Sequence, residues 1–106
     1  MKADYSDLVS TTEQHSRLSV ELDGLLKDER DAKFLLLQKE SDVRKVHFQA
    51  MASKEISQAY FRELLKDQTF DEMVDYERAK TERTIKANQL SAVREQLYTQ
   101  KKIMSI

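Results

Sequence analysis

The chain has 106 residues, with no Pro, no Cys, no Trp and a single Gly. Turn-rich all-β folds, wound α/β enzymes and disulfide scaffolds need these residues in larger numbers, so the composition excludes all three. Eighteen Lys and Arg against 19 Asp and Glu give a net charge of −1, which argues against a general nucleic-acid binder. The length allows one domain, over 1–106.

The expected compartment is the cytoplasm. No run of about 18 apolar residues exists, so the sequence predicts no transmembrane segment. The residues from Met1 to Tyr5 lack the apolar run of a secretory signal. The absence of Cys is compatible with a reducing environment.

The first predicted element is a long helix over about 10–66, which begins where Ser10 and Glu13 have the spacing of a capping pair. A 3-4 alternation from Leu18 passes through 15 positions, ten of them apolar, as in a coiled-coil seam. Lys39, Ser53 and Ser57 are among its polar members, and Gly24 is a weak spot inside it. The seam positions assigned to contacts with a partner or a second copy are Leu18, Leu22, Leu25, Leu36, Val43, Val46 and Leu64.

A turn or kink is predicted at about 67–70. Thr69 and Glu72 have the capping-box spacing, in which each side chain satisfies a backbone N–H of the other residue. A second helix follows over about 70–103, with a poorer apolar repeat. The alternative is one unbroken rod, since a capping box inside a helix goes unused. The fold class predicted is all-α: long coiled-coil helices, in a helical hairpin or extended rod that assembles into a bundle.

Length and aromatic placement both indicate a partner. A helix over 10–66 would be about 80 Å long, far longer than its partner arm, so part of its apolar face stays uncovered. Phe34 and Phe48 fall outside the main seam and would be exposed in a simple dimer. We therefore expect a homo-oligomer or a complex with other helical protein chains.

Charge is segregated along the second predicted helix. Residues 78–102 hold seven bases and two acids, whereas 67–77 hold five acids and no base. Two readings follow: the bases pair with acids or water, or they bind an anionic partner such as an acidic protein, a membrane surface or nucleic acid. Nucleic acid is the weakest of these, since the bases spread around the helix. The residues that would make such contacts are Arg78, Lys80, Arg83 and Lys86.

No motif for chemistry is present in the sequence. His15 and His47 lack a second ligand at helical spacing, so no metal site is predicted. A chain with one Gly cannot build a phosphate-binding loop or a nucleophile elbow. We expect no enzymatic activity, no cofactor and no small-molecule substrate.

The plan of a long coiled-coil hairpin with a basic final stretch resembles small helical stalk and escort proteins of multi-protein machines, including type III export stalks. The resemblance lies in architecture and carries no residue roles. It implies a structural interaction protein: a scaffold, stalk or adaptor within a larger assembly. The alternative is a dimerisation module whose segment 78–102 binds an anionic partner. A fragment of a longer filament-forming chain is a third interpretation.

Overall fold

A computed structural model describes residues 5–105 and has three α-helices in that range. α1 spans Tyr5–Ala52, α2 spans Gln58–Gln68 and α3 spans Phe70–Met104. Helix makes up 93% of the described residues and no strand occurs among them, which confirms the predicted all-α class. None of these described helices combines the length and the hydrophobicity that a membrane span requires.

The chain divides into two compact units. The first unit combines the part of α1 up to Lys27 with the part of α3 from Thr81 onward. The second unit runs from Asp28 to Lys80 and contains all of α2. Each unit therefore has its own contacts between α1 and the later part of the chain.

In the first unit, α1 and α3 pack antiparallel. Leu18 of α1 forms a buried cluster with Leu90 and Val93 of α3, and Leu22 packs against this cluster. One helical turn further along α1, Glu21 meets Lys86, which lies one turn earlier on α3. A step forward on one helix thus matches a step backward on the other. Burial of these apolar side chains is the main source of stability for the pairing.

α1 starts earlier than the sequence predicts. The helix is already formed at Tyr5, and Thr11, near the predicted start, lies buried within it. The Thr11 hydroxyl donates a hydrogen bond to the backbone oxygen of Asp7 at 2.9 Å. A threonine inside a helix often bonds the carbonyl four residues back, so the hydroxyl here does not act as a cap.

The predicted continuous helix over 10–66 is interrupted at 53–57. The backbone N–H of Lys54 bonds to the oxygen of Met51, and that of Glu55 to the oxygen of Ala50. This is the Schellman arrangement, which terminates a helix when the residue after the C-cap is left-handed. Lys54 takes that conformation, with φ of 60°. The sequence did not indicate the break because a lysine holds the position where a glycine is usual.

α2 begins with a side-chain cap. Ser57 has an extended backbone and its hydroxyl oxygen accepts a hydrogen bond from the N–H of Tyr60 at 3.1 Å. Such a cap satisfies one of the unpaired N–H groups at a helix start. Ser57 was assigned to the polar part of the seam in the sequence prediction, whereas the structure uses it to start a new helix.

The second unit buries Leu36, Val43 and Phe61. The ring of Phe61, from α2, meets the ring of His47, from α1, edge to face at a centroid distance of 6.3 Å. In this region, the residues of α1 that face the rest of the unit differ from those of the predicted seam. We call them the inward line. After Leu36 the line passes through the half-buried Glu40 and His47. The predicted seam instead ran through Lys39 and Val46; a helix of 3.6 residues per turn drifts away from a strict 3.5 repeat.

Thr69 separates α2 from α3, inside the predicted turn at 67–70. Its carbonyl oxygen accepts the first hydrogen bond of α3, from the N–H of Met73 at 2.9 Å. The buried hydroxyl donates to the backbone oxygen of Leu65 at 2.7 Å. That bond back to α2 stands in place of the reciprocal contact predicted with Glu72. Thr69 thus ends one helix and starts the next within a single residue.

Replacement of Lys54 by Gly should stabilise the protein. A left-handed conformation costs a side-chain-bearing residue roughly 1 kcal/mol, and glycine removes this cost. We expect the free energy of unfolding to rise by about 0.5–1 kcal/mol in urea titrations followed by circular dichroism. Glu55→Gly is the control, because Lys54 is the one non-glycine residue with positive φ in the described range, and this control should give no gain. An equal response of the two variants would contradict the assignment of the break.

Leu90→Ala should destabilise the pairing of α1 with α3 in the first unit. Leu90 is 6% exposed, so the substitution removes buried methyl groups and leaves a cavity beside Leu18. We expect a loss of about 2–3 kcal/mol in the free energy of unfolding. Leu26→Ala is the matched control, because Leu26 is 41% exposed, and it should lose less than about 1 kcal/mol. Equal losses would mean that the Leu90 cluster is not the core of this unit.

Candidate interaction surfaces

An apolar groove lies in the second unit, where all three helices supply a wall. Its volume is about 360 Å³. Leu65 and Lys66 come from the end of α2, Phe70 and Met73 from the start of α3, and Glu40 from α1. Buried Thr69 also lines the groove, at the junction that brings the end of α2 beside the start of α3. We call this set of residues the apolar groove.

Large apolar side chains are exposed at the groove and on α1 of the same unit. Phe70 is 63% exposed and Met73 is 41% exposed. On α1, Leu37 lies one turn before Glu40, on the groove side of the helix, and is 52% exposed. Phe34 and Phe48, which sequence analysis placed outside the seam, are 66% and 68% exposed. Exposed apolar side chains that lie together, as Phe70 and Met73 do, are typical of a site that contacts another molecule.

The seven seam positions fall into three groups. Leu18, Leu36 and Val43 are buried within the chain. Leu22, Leu25 and Leu64 are half-buried. Val46 is 77% exposed, because the inward line passes through its neighbour His47. Most of the predicted seam residues therefore make contacts within the chain. The exposed apolar side chains lie mainly at positions next to the seam.

The four predicted anion-binding residues differ in their surroundings. Arg78 and Lys80 are exposed, Arg83 and Lys86 are half-buried, and both Lys80 and Arg83 already have polar partners within the chain. Lys86 donates a hydrogen bond to Oε2 of Glu21 at 2.8 Å in the first unit. The structure does not gather the four into one unpaired patch, and Lys86 is already bound to an acid.

Glu21 receives both of its cationic partners on one carboxylate. Oε2 accepts the hydrogen bond from Lys86, and Oε1 lies 3.9 Å from Nε of Arg17, one turn earlier on α1. The hydrogen bond from Lys86 is the main reason that the pKa of Glu21 lies below its usual value, with the charges of Lys86 and Arg17 acting in the same direction and partial desolvation opposing them. This contact fixes the relative register of α1 and α3 in the first unit.

Within 5–105, no group of three or more His, Cys, Asp or Glu side chains is arranged to hold a metal ion. His15 and His47 are both half-buried, and the ring of His47 contacts Phe61. The apolar groove is the candidate functional site in the second unit.

Comparison of the chain with protein-family models, with curated proteins and with solved structures finds no significant match.

The sequence does not mark the residues of the apolar groove as a site. Leu65 directly follows the seam position Leu64, and Phe70 and Met73 are one turn apart at the start of the second helix. Those spacings are visible in the sequence. Their convergence with Glu40 depends on the turn at Thr69, where the hydroxyl bonds to α2 and the backbone starts α3.

The contribution of Glu21 to stability should depend on pH. Its pKa is lowered in the folded chain, so its stabilising effect is present above the unfolded-state pKa of about 4.3 and is lost as the pH falls through the lower, folded value. Glu21→Gln should therefore lower the melting temperature at pH 7, and the deficit should shrink as the pH falls into the acid range. Thermal melts of both proteins across this range test the expectation.

Glu63→Gln is the control for this experiment. Oε1 of Glu63 lies 3.8 Å from Nζ of Lys66, but the side chain of Glu63 is 76% exposed and that of Lys66 is 77% exposed. Exposed pairs of this kind contribute little to stability, so the control should match the wild-type protein at every pH. A deficit of Glu21→Gln that is as large in acid as at pH 7 would contradict the assigned role of its charge.

Proposed function

We propose that this protein is a non-enzymatic interaction protein, a helical scaffold or adaptor that joins other components of a protein assembly. The observation that carries the proposal is the apolar groove with the exposed Phe70 and Met73 on its wall. Full burial of an exposed side chain of this size stabilises a complex by about 1.5–3 kcal/mol. The surface therefore favours a partner that covers it.

The form of the surface favours a helical partner. The groove lies between helices, and an amphipathic helix binds such a groove with apolar residues spaced three and four apart. Lys66 and Glu40 at its edges offer one charge of each sign, which would orient the bound segment without adding much affinity. A second copy of this chain and a different helical protein both meet this description.

Two further parts of the proposal rest on composition. The single Gly and the absence of Cys leave no basis for a phosphate loop or a thiol nucleophile, which supports a role without catalysis. A cytoplasmic location is proposed because a chain without Cys suits a reducing compartment. Anion binding through the set Arg78, Lys80, Arg83 and Lys86 is less favoured, since Lys86 is paired with Glu21 in the first unit.

Phe70 is the position for a direct test. A photo-reactive phenylalanine analogue at position 70, introduced into the protein in its native cells, should cross-link to a helical chain that mass spectrometry identifies. The complex is then rebuilt from purified proteins, and Phe70→Glu should weaken it by about tenfold or more, as for an aromatic anchor in a groove. The substitution should preserve the fold, because Phe70 is the first residue of α3 and a negative charge is favourable there.

Ile85→Glu is the matched control. Ile85 lies on the same helix and is 53% exposed, but it is not part of the apolar groove. This variant should bind the partner with an affinity within about twofold of the wild-type protein. Equal affinity of wild type and Phe70→Glu for the cross-linked partner would refute the groove as the site of binding.

A further inference from the structure

A second groove in the second unit has a different character from the first. Two adjoining depressions of about 250 Å³ and 310 Å³ lie between α1 and the start of α3, and they share Leu35, Glu72 and Asp75. Leu35 is 57% exposed at their common wall, and half-buried Ala32 adds a second apolar contact. We call this surface the acidic groove; its charged members are Asp28, Asp31, Lys39, Asp42, Asp71, Glu72 and Asp75.

The acidic groove carries a concentrated and unpaired charge. Six acids against one base give a net charge of −5 (−6 + 1). Within the part of the chain that the structure describes, none of the six carboxylates takes part in a side-chain hydrogen bond or an ion pair. Like charges that line one groove repel one another, and the repulsion is relieved when a cationic surface approaches. The groove therefore fits a partner that is basic and offers an apolar side chain to Leu35.

The later part of α3 carries such a surface. Tyr98 is 68% exposed, and the side chains three and four residues away on the same face are Arg94, Glu95, Lys101 and Lys102, a net charge of +2 (+3 − 1). The four charged residues are exposed. None of the three bases has a polar partner within the described residues. We call Arg94, Tyr98, Lys101 and Lys102 the basic face.

We infer that the acidic groove of one copy of this protein binds the basic face of a second copy. Tyr98 lies against Leu35 in this contact, with Arg94 and Lys101 beside the carboxylates of Asp31 and Asp75. The pairing combines an aromatic anchor with opposite charges on both sides, so that charge sets orientation and the apolar contact adds affinity. The inference rests on the proposed interaction function and names one partner for it, on a surface separate from the apolar groove.

Charge reversal of each surface tests the inference. The groove variant is Asp31→Lys with Asp75→Lys, and the face variant is Arg94→Glu with Lys101→Glu. Sedimentation velocity over a concentration series measures self-association of the full chain at 50 mM and 500 mM salt. We expect wild-type self-association to weaken by about tenfold at the higher salt, and by about tenfold or more in each variant at the lower salt.

A mixture of the two variants is the decisive sample. The groove variant keeps an intact basic face and the face variant keeps an intact acidic groove, so an equimolar mixture should recover a complex that neither variant forms alone. Asp23→Lys with Glu82→Lys is the matched control, since it makes the same charge change at exposed positions of α1 and α3 outside the groove. This control should associate as the wild type does. Circular dichroism confirms that every variant keeps its helical content.

The other outcomes overturn the inference. The wild-type chain would stay monomeric at all concentrations, or its self-association would be unaffected by either charge reversal. Alternatively, only one of the two variants would lose self-association, or the mixture of the variants would fail to associate. Loss with the groove variant alone would point to a different basic helix as its occupant. None of these variants changes Phe70 or Met73. If a complex with another protein still depends on Phe70, the proposed function holds even when this inference fails.

Discussion

The burial of one narrow apolar line on α1 is the interaction on which this structure depends. Six apolar side chains are buried in the described range, among them Leu18 and Leu90 in the first unit and Leu36 and Val43 in the second. Among residues 5–105, no large side chain is fully buried. A helix offers a neighbour only the side chains on one stripe of its surface, so two paired helices cover little of each other. The remaining large apolar groups are left at the surface, which makes further association favourable.

The break at 53–57 creates the surface used for the proposed function. Because Lys54 is left-handed, the chain leaves α1 and α2 begins at Gln58. α2 then brings Phe61 to His47, and its end brings Leu65 to the start of α3. A single continuous helix would place these residues along one axis, where no groove forms between them. The local conformation of one residue thus determines where the exposed apolar groups meet.

Charge and apolar surface have separate tasks in this molecule. Glu21 and Lys86 form a close contact inside the first unit, where they define which turns of α1 and α3 face each other. The acids beside Leu35 and the bases beside Tyr98 have no such partners within the described chain. Ion pairs at surfaces contribute little energy but discriminate strongly between partners. Apolar side chains would supply the affinity of association, and the charges its direction.

Properties of neighbouring residues determined what could be predicted from the sequence. The all-α class follows from the period of Leu18, Leu22 and Leu25. The spacing of Thr69 and Glu72 located the junction, although the Thr69 hydroxyl bonds back to Leu65. Contacts between distant residues decided the rest. The inward line reaches His47, which Phe61 contacts from α2. α1 ends at Ala52, and the left-handed residue that follows its C-cap is a lysine where sequence rules expect glycine. The groove acids lie on two helices, from Asp28 to Asp42 and from Asp71 to Asp75, and only tertiary packing brings them together. Periodicity is local, whereas register and juxtaposition depend on side chains that are far apart in the chain.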